Sequence, residues 1–128
     1  MASNSVITLY RRIKLCEITS GAIEELAPIT HIAFGDGGVD ANGDPIAPLG
    51  TATALNHEVI RYPIDSVTYP VETTARYVAT IPSNDLAGVE ISEAAIVDGD
   101  GKLCAIKNFY IKRKEVGTTF TFTFDDEF

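Results

Sequence analysis

The chain predicts a single-domain α+β fold, an N-terminal helical segment packed on a mainly antiparallel β-sheet or small sandwich. Three observations lead there. Apolar residues near the N-terminus recur at three- and four-residue spacing, apolar residues in several later runs alternate every second position, and glycine, aspartate and asparagine turns separate those runs without a second-domain boundary. Its 128 residues suit one core that removes roughly two-thirds of the unfolded surface from water. A hydrophobic content of 45% with 22% charge argues against disorder. Residues 1–27 form the expected helical leader and 28–124 the mainly β part of one domain spanning 1–128.

In the leader, Val6, Leu9, Ile13, Cys16 and Ile18 fall along one helical stripe. Thr19 or Ser20 can cap a second short helix, which Pro28 would stop. Ile29–Phe34 then reads as a strand ending in Gly35-Asp36-Gly37-Gly38, a corner whose glycines suit backbone with positive φ. The stretch 39–50 is a polar surface loop centred on Asn42-Gly43 and Asp44-Pro45. His57–Ile64 alternates as a strand, placed at an edge or near its end by Pro63, which cannot donate to a ladder.

Val67–Val71 is a short extension before the half-buried strand Ala75–Ile81. Residues 89–97 resume an extended pattern whose phase shifts between Ile91 and Ala94, as a bulge at Ser92-Glu93 would produce. Asp98-Gly99-Asp100-Gly101-Lys102 is a reversing turn, so Leu103–Ile111 should pair back on 89–97. Lys112-Arg113-Lys114 reads as a solvated loop. Phe120, Phe122 and Phe124 alternate with threonines in the clearest strand of the chain, which the acidic tail Asp125–Phe128 ends.

The formal net charge of -8 disfavours binding that depends on neutralising nucleic-acid phosphates. No apolar run approaches the roughly 18 residues of a membrane-crossing helix, and no signal-peptide pattern opens the chain. A reducing cytosol is therefore the expected site of synthesis, with Cys16 and Cys104 reduced, buried and lacking any CxxC partner.

Reactive chemistry finds little support. Counting an EF-hand from Asp40 places Asn42 and Asp44 correctly, but Pro45 replaces the required glycine and Thr51 the terminal glutamate. Lys102 stands where Asp98 and Asp100 would need a third oxygen ligand. His31 and His57 read as structural histidines, and no Gly-x-Ser-x-Gly elbow or Gly-Lys-Ser/Thr phosphate loop occurs. The expectation is no enzyme, no cofactor and no metal. Conspicuous loops on a rigid scaffold often bind partners, which makes Asp36, Gly37, Gly38, Asp40, Asn42, Asp44, Asp98, Asp100 and Lys102 the candidate contact residues.

A resemblance runs from about residue 19 to about residue 110. Thr19-x-Gly21, Ile29–Gly38, Thr53–Arg61, Pro63-Ile64, Ile81-Pro82 and Glu93–Ile106 stand in the order seen in the N-terminal tail-collar, or baseplate-attachment, module of phage tail-fibre proteins. Members show a Val-Gly-Asp-Gly-Gly corner, a Leu-x-x-Glu-Val-x-Arg segment and a late Arg-Glu-x-Gly-Leu hairpin. Here the last motif is Ser92-Glu93-Ala94-Ala95-Ile96, so the arginine is missing. The resemblance implies a structural component of a phage tail or contractile phage-tail-like particle, made in the host bacterial cytoplasm and residing in the virion. It would attach tail fibres to the baseplate or tail tip by protein-protein contacts as a homo-oligomer, with a trimer suggested by tail fibres although no heptad seam is present. With no shaft, collagen-like repeat or receptor-binding tip, the chain is not expected to form a whole fibre. The alternative is a small receptor- or carbohydrate-binding module, which would gather Tyr62, Tyr69 or Tyr110 in a shallow groove.

Overall fold

A computed structural model describes residues 4–128 of the protein. Strand β1 (Ser5–Ile7) leads into helix α1 (Leu9–Thr19), followed by β2 (Ile29–Gly35), β3 (Glu58–Pro63), β4 (Ser66–Val71) and β5 (Thr74–Ile81). Strands β6 (Glu90–Asp98), β7 (Leu103–Arg113) and β8 (Phe120–Glu127) complete the chain. They form a five-stranded sheet in the order β1-β7-β6-β2-β3 and a three-stranded sheet in the order β4-β5-β8. Every pairing between these strands is antiparallel.

The expected α+β class with a helical leader over 1–27 is corrected by this arrangement. The domain is β-rich, and α1 is its one helix of 11 residues among those described. Val6 belongs to β1 and pairs with Ile106 on β7. Most of the rest of the anticipated stripe faces outward: Leu9 and Ile13 are 45% and 49% exposed and Cys16 is exposed, while Ile18 is half-buried. Helical spacing identifies residues that share a face but not which face is covered. Arg11 is the buried residue of α1 instead.

Thr8 begins the helix because its hydroxyl accepts from the Arg11 N–H at 3.3 Å, while donating to the Leu103 carbonyl at 2.7 Å. At the other end Gly21, at φ +83°, supports two closing bonds: Gly21 N–H to the Ile18 carbonyl and Ala22 N–H to the Glu17 carbonyl. Ser20 thus ends α1, and the expected second helix does not follow it among the described residues.

The main core lies between the sheets, with Ile32 and Phe34 of β2 meeting Ala79, Ile81, Ile96, Phe122 and Phe124. Phe34 and Phe122 make an edge-to-face contact at 5.4 Å between ring centres. Alternate residues Ala33, Ala95 and Val97 point to the opposite face, where Leu55 covers them. Both faces of β6 are therefore enclosed, and the strand is buried from Ile91 to Asp98. Its register shifts between Ile91 and Glu93, at the bulge anticipated from the sequence.

The strand β8 continues beyond Phe124 through Asp125-Asp126-Glu127, correcting the expected stop at the acidic tail. Asp126 keeps the inward phase of the three phenylalanines and meets Arg11 in a buried two-bond pair at 2.7 and 2.6 Å. This pair fixes which face of α1 turns inward. Lys114 also departs from the solvated-loop reading: it is 1% exposed, with Nζ donating to the Ser83 and Glu115 carbonyls at 3.3 and 3.4 Å.

Candidate functional site

The corner Gly35–Gly38 leaves the end of β2, where the register with β3 shifts between Phe34 and Gly35. Glu93, at the β6 bulge, is 1% exposed and aims its carboxylate into this corner. Its Oε2 accepts from the backbone N–H of Gly37 and of His57, both at 2.8 Å, and its Oε1 from the N–H of Asn56 at 2.9 Å. A buried carboxylate is tolerable only when hydrogen bonds replace its lost water. Three amides from the two ends of the β2–β3 connection do so here and tie both ends to β6.

Neighbouring bonds complete the junction. Gly38 N–H donates to the Ser92 hydroxyl at 2.9 Å, Asn56 Nδ2 to the Gly37 carbonyl at 2.9 Å, and Asp36 N–H to the His57 carbonyl at 3.1 Å. His57 Nδ1 lies 2.5 Å from the Asp36 carboxylate at the exposed rim. Ser92, standing where the resembled motif has arginine, thus holds the corner through its hydroxyl.

The expectation of positive φ at Gly35, Gly37 and Gly38 is corrected, since none of them is among the positive-φ glycines. Close approach explains them. A Cβ on Gly38 would lie 2.0 Å from the Ser92 carbonyl oxygen, on Gly35 2.4 Å from that of His57, and on Gly37 2.7 Å from the Asn56 Cβ. Only glycine lets these backbones meet.

The turn at Asp98–Lys102 has similar composition and different physics. Gly101 adopts φ +78° with nothing within 4 Å of a built Cβ. Asp98 is 3% exposed. Its Oδ1 accepts from the N–H groups of Asp100 and Lys102 at 3.0 and 3.1 Å, and its Oδ2 from the Tyr10 hydroxyl at 2.7 Å. Burial, reinforced by the bond to Asp98, raises the Tyr10 pKa above its ordinary value.

The structure brings only some candidate residues together. Asp36, Asp40, Asn42 and Asp44 are exposed at the corner end of β2, with Asp40 Oδ1 accepting from the Asn42 and Asp44 N–H groups at 2.8 and 3.1 Å. Asp100 and Lys102 are exposed at the opposite end, because Ile29 pairs with Asp98 while Gly35 pairs with Glu93. The seven residues of β2 separate the two sets by about 20 Å at strand rise. Gly38 and Asp98 are buried and Gly37 half-buried.

Among the described residues no group of three or more histidine, cysteine, aspartate or glutamate side chains is placed to hold a metal. His31, opposite Pro63, and His57, beside Gly35, stand at different ends of the β2–β3 pair. Cys104 is buried, and burial followed by the charge of Asp98 pushes its thiol up to about 12. Cys16 is exposed, contrary to expectation, because its helix face is uncovered. Tyr69 and Tyr110 are exposed, whereas Tyr62 packs on the core and donates to Asp85 at 2.6 Å.

Glu93, Asn56 and Ser92 are the residues that individual motif chemistry missed. Glu93 and Ser92 had a signal in the phase shift of β6, but their partners are backbone groups of the β2–β3 connection, far away in sequence.

Neither a curated protein nor a solved structure matches the chain. A family model described as phage tail-collar fibre protein, N-terminal, matches residues 3–121. The corner, the Glu58–Arg61 segment and the β6–β7 hairpin that carried the resemblance all lie within that match, and the chain belongs to the phage tail-collar fibre protein, N-terminal, family.

Proposed function

We propose that this protein is a non-enzymatic connector of a phage tail or phage-tail-like contractile particle, joining tail fibres to the baseplate or tail tip through protein-protein contacts as a homo-oligomer. Family membership supports a structural role in a phage tail. The observation that carries the connector reading is the disposition of the exposed loops. Asp36, Asp40, Asn42 and Asp44 occupy one end of β2, and Asp100 and Lys102 the other. A rigid sheet with polar loops at both ends suits a piece gripped by one partner at each end.

The corner's own polar groups are spent internally. Glu93, Ser92 and Asn56 bond the backbone, Asp36 pairs with His57 and Asp40 closes its own turn, leaving the exposed Asp44 carboxylate to meet a partner. Synthesis in the host bacterial cytoplasm, followed by incorporation into the particle, accords with this role.

Pull-down of purified baseplate and fibre proteins tests the reading, using Asp44→Lys at one end and Asp100→Lys at the other. Each substitution should release one partner and retain the other. Capture of neither partner by the unaltered protein, or loss of both through either substitution, would overturn the two-ended arrangement.

A further inference from the structure

Among the described residues four strands end the two sheets, β1 covering β7 only over Ala105–Lys107, and three of these four have protected edges. The strand β1 is 3 residues long, β3 terminates in Pro63, and β4 carries Pro70 and a register shift between Thr68 and Val71. Short edges, prolines and bulges are common protections against unwanted strand pairing. The fourth edge, β8, has none of these. It runs for 8 residues without proline and pairs with β5 in uninterrupted register from Phe120 to Glu127.

The phase of its hydrogen bonds follows from Phe128, whose N–H donates to the Thr73 carbonyl at 2.8 Å. Opposed antiparallel residues alternate between bonded and non-bonded pairs. Even-numbered residues therefore bond β5, while the N–H and C=O groups of Thr121, Thr123, Asp125 and Glu127 face the free edge. Space exists along it. Two cavities of about 410 and 400 Å³ share Lys107 and together touch every residue from Phe120 to Glu127.

The charges along this slot are polar in arrangement. Lys107 lines both halves, Lys112 only the half beside Phe120 and Thr121, and Asp125 and Glu127 only the other half, where Asp125 is paired with Arg76 at 2.8 Å. Neither Lys112 nor Glu127 forms an ion pair among the described residues.

We propose that the free edge of β8 binds the β8 edge of a second copy, antiparallel and related by a two-fold axis at Thr123. This joins two three-stranded sheets into one six-stranded sheet, on the strand order of each copy. Opposed Thr123 residues make a cross-strand threonine pair, and Thr121 stands opposite the second copy's Asp125. Lys112 of each copy then meets the end of the other that carries Glu127, the acid there without an ion pair among the described residues. Centring on Thr123 also keeps the two Asp125 residues farther apart than centring on Phe124 would. This charge complementarity favours a second copy over an unrelated strand. A two-fold contact makes pairs and cannot by itself close a trimer.

Sedimentation equilibrium from low micromolar to submillimolar concentration tests the proposal. The expected species is a dimer, with Thr123→Pro monomeric at unchanged circular dichroism, because the Thr123 N–H does not bond β5. Thr123→Lys provides the same test without altering the backbone. Lys112→Glu should weaken the dimer by about tenfold or more, and adding Glu127→Lys should restore it. A wild-type monomer or trimer overturns the proposal, as does a dimer that survives Thr123→Lys or a charge swap that fails to restore pairing.

Discussion

The corner at Gly35–Gly38 and the turn at Asp98–Lys102 are built from the same glycine and aspartate vocabulary, yet they use glycine for opposite reasons. At the corner the backbone angles are available to other residues, but neighbouring backbone leaves no room for a side chain. At the turn there is room around Gly101, but its φ of +78° penalises side chains. Their acids differ similarly. Glu93 reaches from a neighbouring strand to bind both ends of the β2–β3 connection, whereas Asp98 caps the turn that it begins. One region is a tertiary junction and the other a local reversal.

The largest expected effect is at the corner. Gly38→Ala places a Cβ 2.0 Å from the Ser92 oxygen and 2.7 Å from its carbonyl carbon, both backbone atoms that cannot swing aside. Denaturant unfolding should show a loss of about 3 kcal/mol or more. Next comes Glu93→Gln, which keeps the side-chain shape but presents an amide donor to backbone donors. A loss of about 2 kcal/mol is expected from the same measurement. An unchanged midpoint in either variant would dissolve the distinction between junction and turn.

Smaller effects belong to the turn. Gly101→Ala should cost about 1 kcal/mol, through the left-handed backbone alone. Gly99 sits in the same turn without positive φ, and its built Cβ would meet nothing closer than 3.8 Å. Gly99→Ala should therefore shift stability by less than about 0.5 kcal/mol. A thermal-melt series with Gly99→Ala as damaging as Gly38→Ala would show that glycine content, rather than local geometry, governs both regions.

Alternation made β8 legible in the sequence, as Asp-Gly steps did for the β6–β7 hairpin and the broken phase for the β6 bulge. Each signal is local: it is written within a few residues of the element it specifies. The inward turn of α1 was not legible, because its cause is Arg11 meeting Asp126 across 115 positions. An aspartate in a core phase also violates the polar-out pattern until its arginine is known. The corner itself stood out by composition, whereas the reason for its glycines did not. Crowding by Ser92, Asn56 and His57 exists only after β2, β3 and β6 have assembled. The contrast between the exposed Leu9 and Ile13 stripe and buried Arg11 carries the same lesson for the helix.

Amide hydrogen exchange tests the central claim, that Glu93 makes the corner a single junction, most directly. The N–H groups of Gly37, Asn56 and His57 all donate to its carboxylate. They should be protected together in the unaltered protein and accelerate together in Glu93→Gln, while Asp100 and Lys102, whose N–H groups donate to Asp98, keep their rates. Independent exchange of the three corner amides, or equal acceleration at both ends of the sheet, would contradict it.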